Sequence, residues 1–493
     1  MLKAINNKSV HDTPRDHHKA IAARYDAAQD HSGNVKHWNQ ADALSSGASL
    51  TPLIRERLRN RARYECANNS FAAGMVETLA NDTIGTGPRL QLKTGDKAAN
   101  RRVEQSFNAW AAEVSLTCKL HTLRMSKTRD GEGFAVLGTN PRMRHGVQLD
   151  LRCIEAEQFA DPEYRWERSE SDGITYDSWG NPVAYSMLTE HPGGLNGYRY
   201  QYRDIPADQV VHFFKARRPG QLRGAPDITP ALPLFAMLRR YTLAVVTAAE
   251  IAADMAGILY TDAAADEGGY DIDPLDTFEV VRGMFTSMPA GWKMSQLEAE
   301  QPTSTYAEFR DKILNEIARC LNMPFNVAAG DSSSYNYASG RLDHQTYYRA
   351  IHVDRHEING VVLDHLWRAW LNEAALVEGL LPREMRRVDA DLIPHAWHWD
   401  GFKHVDPAKE SKGEETMLKT GALTYPDLYA AKGQDWEEQQ EKQAAALGLS
   451  VDDYRARLAD SLFGTPAAAP VEDGDEEDAD DESKKKASNK DEE

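Results

Sequence analysis

The stretch Asn322-Met-Pro-Phe-Asn-Val-Ala-Ala-Gly-Asp-Ser-Ser-Ser-Tyr-Asn-Tyr-Ala-Ser-Gly-Arg341 constrains this chain more than any other. It separates two strongly patterned helical segments. Pro324 must stop the first of them, because proline lacks an N–H and disfavours helical geometry in the residue before it. The loop that follows is small, polar and almost uncharged, with Asp331 its only charge before Arg341. It holds no nucleophile with a base beside it. Such a segment is a contact surface rather than a reaction centre.

The helices around this loop are legible from their pattern. A segment beginning Thr305-Tyr-Ala-Glu308 reads as a capping box, with an apolar stripe Phe309, Ile313, Ile317 and Leu321. Before it, an alanine-rich helix spans residues 231–259, carrying Ala244, Ala248, Ala249, Ala252, Ala253 and Ala256. Small residues allow close helix approach, although alanine also simply favours helix. A longer helical pattern covers residues 341–378, with a kink expected at Gly360. Helical character returns in residues 406–458, started by Pro407 and interrupted by Pro426.

Residues 51–232 read as one α+β domain. Helical periodicity fills residues 55–81 and stops at Ile84-Gly-Thr-Gly-Pro88; residues 97–127 fit two further helices. The period then changes to that of strands, at residues 134–137, 147–154, 174–177, 183–188, 198–202 and 210–214. Trp179-Gly-Asn-Pro182 is a hairpin turn between two of these.

At 493 residues the chain is too long for one ordinary core. Its net charge of −19 argues against a protein that grips nucleic acid. The four cysteines, Cys66, Cys118, Cys153 and Cys320, are far apart and form no CxxC pair, so they read as free, buried thiols. No secretory signal is seen, and the apolar run at residues 241–249 is too short to span a bilayer. Residues 1–50 read as a flexible arm, and residues 466–493, with ten consecutive residues from Asp473 to Glu482 that are nearly all acidic, as a disordered tail.

Candidate chemistry is thin. His344, His352, His356 and His365 recur along a helix, and His352 and His356 at i, i+4 have a spacing that can share a metal. The sequence there is His-Glu-x-x-Gly rather than His-Glu-x-x-His, which favours a solvated helix face. His395, His398 and Asp400 alternate as in a strand, which splits His395 from Asp400. There is no Walker A loop and no GxSxG elbow. Lys215, Arg217, Arg218 and Arg223 form a local basic patch, read as ordinary surface or an inter-subunit ion-pair cluster rather than a phosphate site. No cofactor, metal or catalytic residue is assigned, so the chain is not expected to be an enzyme. A metal-dependent hydrolase using the histidine-rich helix, or a non-channel oligomeric scaffold, are the rival readings.

Several short pieces then occur in a particular order. They are Tyr25-Asp-Ala-Ala28, Trp38, Arg61-Ala-Arg63, Asn68-Asn69, Asn81-Asp-Thr-Ile-Gly-Thr-Gly87, Ile154-Glu-Ala-Glu157 and Asp177-Ser-Trp-Gly-Asn-Pro182. After them come Val211-His-Phe-Phe214, Arg218-Pro-Gly-Gln-Leu-Arg-Gly224, Met323-Pro-Phe325, Tyr335-Asn-Tyr-Ala-Ser339 and Gly421-Ala-Leu-Thr424. In order and spacing the chain resembles the lambda family of tailed-phage portal proteins over most of residues 20–460. The resemblance implies an α+β portal-type subunit and a ring of twelve copies at one capsid vertex. Double-stranded DNA would pass through the ring on packaging and ejection, without sequence specificity. It also implies partners: terminase, the major capsid or scaffold protein, and head-completion or tail adaptor proteins, with no membrane. Assembly would take place in the host cytoplasm and the product would reside in the virion.

The resemblance divides the chain into an arm (1–50), wing (51–232), first stem helix (233–261), clip (262–303), second stem helix (304–323) and tunnel loop (324–340). A long helix returning to the wing (341–405), a crown-like helical region (406–465) and the tail follow. It assigns Asp331, Ser332, Ser333, Ser334, Tyr335, Asn336 and Tyr337 to the DNA channel. Ala249, Ala252, Ala253, Ala256, Arg310 and Arg319 go to the subunit interface, and Phe278, Arg282, Trp292 and Lys293 to the terminase-facing clip.

Overall fold

The computed structural model describes residues 35–161, 172–195, 201–253, 257–261, 292–296, 303–333, 335–402 and 407–464. Two single turns, α1 (Val35–Trp38) and α2 (Ser46–Ser49), precede the helices α3 (Pro52–Asn68) and α4 (Ser70–Ile84). The pattern over residues 55–81 thus belongs to two helices. Asn69 breaks them: its backbone is extended and its side chain accepts the Phe71 N–H at 3.0 Å, which caps the second helix. The expected arm is docked in its last residues. Ser46 is buried and donates to the Pro219 carbonyl at 3.2 Å, while Arg218 donates to the Leu44 carbonyl at 2.9 Å.

Next come β1 (Arg89–Leu92), α5 (Lys97–Glu113) and α6 (Leu116–Asp130), the two helices expected there. Six strands follow in two antiparallel sheets. The first sheet is ordered β3-β2-β7, from β2 (Glu132–Thr139), β3 (Leu149–Ile154) and β7 (Val210–Phe214). The second is ordered β4-β5-β6, from β4 (Ile174–Tyr176), β5 (Pro182–Leu188) and β6 (Tyr202–Pro206). β4 and β5 form the hairpin that Trp179-Gly-Asn-Pro182 signals. The last strand of that sheet sits later than the expected 198–202, and residues 196–200 lie outside the described part.

The chain then enters α7 (Leu232–Ala253). The helix does not continue to residue 259 or 261 as expected, because β8 (Gly257–Thr261) pairs antiparallel with β9 (Trp292–Gln296). A remote strand partner overrides the helical preference of the local sequence. α8 (Thr303–Arg319) has begun by Thr303, so Thr305 lies inside its first turn and is not the cap expected of it. Then come α9 (Phe325–Ala329), α10 (Tyr337–Ile358), a π-helical turn at Asn359–Leu363, and α11 (Asp364–Ala374). The expected disturbance at Gly360 is this π turn. β10 (His395–His398) returns to pair with β1. α12 (Pro407–Lys419), α13 (Tyr425–Ala431), α14 (Trp436–Ala446) and α15 (Val451–Phe463) end the described chain, and Pro426 starts α13 rather than breaking a helix.

Three apolar clusters hold this together. The largest joins α5, α6, β2, β3 and α11 around Phe107, Trp110, Trp367 and Trp370, with Phe107 5.1 Å from Trp110 and 5.4 Å from Trp370. The second gathers α3, α4, the base of α7, α8 and α10 around Phe235, Leu314, Ile317, Tyr347 and Ile351. The buried stripe of α8 is Ile313, Leu314, Ile317, Ala318 and Leu321; Phe309, expected on it, is 45% exposed. The third seals the two sheets together through Phe134, Phe159 and Tyr185.

Charge is buried between these clusters. Arg223 is 2% exposed and donates to both carboxylate oxygens of Glu132, at 2.8 and 2.9 Å. It also donates to the carbonyls of Asp172, Phe159 and Ala156, at 2.6, 3.2 and 3.3 Å. His212 lies 3.0 Å from Glu132, Arg59 lies 3.4 Å from it, and Arg55 pairs with Asp172. Glycine permits this closeness: a Cβ on Gly224 would sit 2.0 Å from the Gly131 carbonyl oxygen. Removing the carboxylate leaves Arg223 charged and buried, so Glu132→Ala should cost about 3–5 kcal/mol in denaturant unfolding; a loss below ~1 kcal/mol would contradict it.

The same groups set the pH dependence. Burial pushes Glu132 upward, but the charge and hydrogen bonds of Arg223 and the hydrogen bond of His212 outweigh it and hold the carboxyl well below its ordinary 4.5. Burial lowers His212 below 6.5 and keeps it neutral in the fold. Below pH 6.5 the unfolded chain gains a proton at this histidine that the folded chain refuses, and below pH 4.5 unfolded Glu132 does the same. The contribution of these two groups should be fully present at neutrality and fall on acidification through both ranges. A denaturation midpoint that rises between pH 7 and 5 would contradict this assignment.

Candidate functional site

The polar segment after Pro324 is more ordered than its composition suggests. Pro324 is extended, α9 follows it at once, and Gly330 ends α9 in the left-handed region with φ of 68°. The Asp331 carboxylate accepts the Ser333 N–H at 2.9 Å, and this bond holds its pKa below the ordinary value. α10 begins at Tyr337 rather than at Arg341. Asn336 is the reason, since its side chain accepts the Ser339 N–H at 2.9 Å. Ser332, Ser333 and Asn336 are exposed, and Tyr335 is half-buried with its hydroxyl pushed up by that burial. Ser334 lies outside the described residues, as does the side chain of Tyr337.

Both ends of this loop are anchored rigidly. Tyr347 of α10 donates to Asp82 at 2.7 Å, and Arg355 donates to the carbonyls of Thr83 and Asp400, each at 2.8 Å. Arg124 donates to Asp354 at 2.6 Å, and Lys127 lies 3.6 Å from Asp227 and 3.9 Å from Asp354. Burial pulls the Lys127 ammonium pKa down. Arg217 donates to Asp227 at 2.8 Å, and Lys215 pairs with Glu357 at 3.2 Å. Arg223 of the basic cluster 215–223 is buried, whereas Lys215, Arg217 and Arg218 are exposed and the first two are tied by ion pairs to α10 and the entry to α7.

The helix pair preceding the loop has the opposite character. α7 leaves the core after Leu238. Its Tyr241 ring lies 4.6 Å from Phe309 of α8, and Thr242 is 3.1 Å from the Tyr306 hydroxyl. Met237, Leu243 and Val246 are 58, 60 and 47% exposed. The stretch Thr229–Glu250 is long and apolar enough to cross a membrane by length and composition alone, a point that the shorter run at 241–249 hides; 22% of its most apolar window is buried. Of the alanines expected at an interface, Ala249 is exposed and Ala252 and Ala253 are on α7, with side chains outside the described part; Ala256 lies outside it altogether. Arg310 is half-buried and bonds its neighbour Asp311 at 2.9 Å, and exposed Arg319 bonds Asn322 at 3.0 Å. Phe278 and Arg282 lie outside the described residues, Trp292 opens β9, and Lys293 on β9 is exposed.

The histidines do not converge. His344 bonds Asn326 at 3.1 Å, His365 bonds the Asp208 carbonyl at 2.7 Å, and His352 stands edge-on to Phe402. His395 bonds Asp364 at 3.2 Å, whereas Asp400 accepts from the Thr86 hydroxyl at 2.8 Å. Among the described residues one group has metal-ligand spacing: Glu155, Glu157 and His191. There Glu157 is already neutralised by Arg59 and Arg63, at 3.1 and 2.8 Å. The four cysteines are free; Cys118 is exposed rather than buried, and burial raises Cys66 and Cys320 to about 11.

The model of the family "Phage portal protein, lambda family" matches residues 32–355, well over half of the chain. The chain belongs to the lambda family of phage portal proteins. It is 25% identical over 413 residues to a "Probable portal protein" of Halomonas phage phiHAP-1, covering 77% of this chain and 78% of that one. It is 19% identical over 458 residues to "Portal protein B" of Escherichia phage lambda, covering 82 and 86%. Among solved structures, "Neck of empty GTA particle computed with C6 symmetry" aligns with a TM-score of 0.45 at 15% identity, over 79% of this chain and 92% of that one. An HK97-family phage portal protein from Corynebacterium diphtheriae aligns with a TM-score of 0.31 at 13% identity, over 71 and 97%. Portal proteins are structural components of the virion. Their general role is to form the channel through which double-stranded DNA enters and leaves the capsid.

Proposed function

We propose that copies of this chain close head to tail into a ring, of twelve subunits as the family resemblance implies, around an axial duplex. The exposed apolar face of α7 carries this reading. A lone subunit leaves Leu243 and Val246 in water on a helix already packed against α8 on its other side. A second copy would cover that face, and a heterologous contact that closes on itself makes a ring. Burial against a neighbouring subunit also accounts for the helix's apolar length without a bilayer.

In this reading α7 and α8 form the stem, residues 51–232 the wing, and β8 and β9 belong to the clip, with Phe278, Arg282, Trp292 and Lys293 toward terminase. The segment after Pro324 faces the bore. A channel that moves DNA of any sequence must not hold it, and dense Lys/Arg contacts would add affinity through counterion release. The exposed Ser332, Ser333 and Asn336 give a polar surface without cations. The chain itself does not hydrolyse ATP in this account; terminase supplies that step. Capsid or scaffold protein and head-completion or tail adaptors are the other partners, met first in the host cytoplasm.

Two outcomes test this. Leu243→Glu with Val246→Glu should abolish rings in native mass spectrometry, while subunit stability shifts by no more than about 0.5 kcal/mol because both positions are exposed in the monomer. Unchanged rings would remove α7 from the interface. Deleting Ser332, Ser333 and Ser334 should leave folding and rings intact and impair packaging or retention of DNA. Full-length genomes packaged and retained normally would take the loop out of the channel.

A further inference from the structure

The β4–β5 turn presents a tryptophan to solvent on a rigid mount. Trp179 is 90% exposed. Its backbone is fixed by the Asp177 carboxylate, which accepts the N–H groups of Trp179 and Asn181, each at 2.8 Å, and the Asn181 side-chain amide at 2.9 Å. The Gly180 N–H closes the turn on the Asp177 carbonyl at 3.1 Å, and Gly180 holds a φ of 86°. These bonds hold the Asp177 carboxyl below its ordinary value. A large aromatic ring kept in water on a preorganised turn has the form of a binding anchor, since little ordering entropy remains to be lost on contact.

The same subunit carries a cavity suited to that anchor. A groove of about 1030 Å³ opens between the β2–β3 hairpin, β6 and α11. Its apolar floor includes Leu137, Ile205 and Ala369, and its rim carries Arg152 and Arg203. Both arginines are exposed and, among the described residues, neither has an ion-pair partner. The turn lies away from its own groove. It precedes Pro182 at one end of β5, whereas the groove is lined by Ile205, paired with Tyr185, and by Met187, about 10–17 Å along the strand at ~3.3 Å per residue.

We propose that the Trp179 turn of one subunit inserts into this groove of the next copy in the ring. The indole would cover the apolar floor, and Asp177 would meet Arg152 and Arg203, matching charge to charge. Knob and socket are different surfaces, so the contact is heterologous and has the head-to-tail sense that a closed ring requires. It adds a second interface to that of α7 and rests on the ring assembly proposed above.

The test uses the full chain carrying Cys118→Ser, which removes the exposed native thiol, with Ser178→Cys beside the anchor and Asn372→Cys on the groove. A short bis-maleimide should convert assembled rings of the double variant into a ladder of covalent oligomers. The two single variants, mixed and assembled together, should give dimers and nothing larger. Trp179→Ala, with α7 intact, should raise the subunit concentration needed for half-assembly about tenfold or more, since anchoring tryptophans commonly contribute at least the ~1.4 kcal/mol that tenfold represents. Rings that form but give no ladder, with Trp179→Ala assembling like the parent, would overturn this contact and leave the ring standing. A parent chain that stays monomeric would overturn both.

Discussion

The buried pair of Glu132 and Arg223 is the contact on which the rest of the subunit depends. It joins the start of β2, the linker leading to α7, the turn before β4, and through Arg59 the helix α3. A single buried ion pair contributes little net stability, because desolvation offsets most of its attraction. Its consequence is geometric. The donors to Glu132 arrive from the linker, from α3 and from β7, so the sheets and the linker have one mutual arrangement in which these charges are satisfied. The close approach of Gly131 and Gly224 reinforces that arrangement.

From there the order propagates to the functional segments. The linker 215–227 carries Arg217 and Asp227 into a second charged cluster with Lys127, Arg124 and Asp354. Asp354 lies on α10, two turns beyond the Tyr347 anchor. The entry to α7 and the helix that follows the polar loop are thus referenced to one frame. The loop itself is tethered at both ends, by α9 and by the Asn336 cap, and among its described residues Ser332, Ser333 and Asn336 are exposed. A segment built so can present a defined polar surface, while α7 leaves Leu243 and Val246 exposed on the lone subunit.

Much of this was legible in the sequence, and the failures share a cause. Helices α5, α6 and α11 follow their apolar spacing, and the β4–β5 hairpin follows its turn residues, because those signals are local. The break at Asn69 escaped notice because the residues on both sides favour helix, and only the side-chain bond to Phe71 ends one and starts the next. The early start of α10 had a signal, an asparagine three residues before Ser339, which the breadth of the polar run masked. α7 was read too long because its alanines favour helix and the competing partner of β8 lies more than thirty residues on, in β9. Arg217 and Arg218 are at the surface as expected, but Arg223 looked like surface because its partner Glu132 is remote in sequence. Alanine content drew attention to the end of α7, where the side chains of Ala252 and Ala253 lie outside the described residues; exposure in the folded subunit adds Met237, Leu243 and Val246 on the same helix.

Electron microscopy of the purified full-length chain tests the central claim most directly. The account predicts closed rings with an open axial channel wide enough for duplex DNA, with α7 at the contact between adjacent subunits and Ser332 and Ser333 facing the bore. Monomers at working concentration, or rings whose axis is blocked or lined by the 215–223 linker in place of this loop, would contradict it.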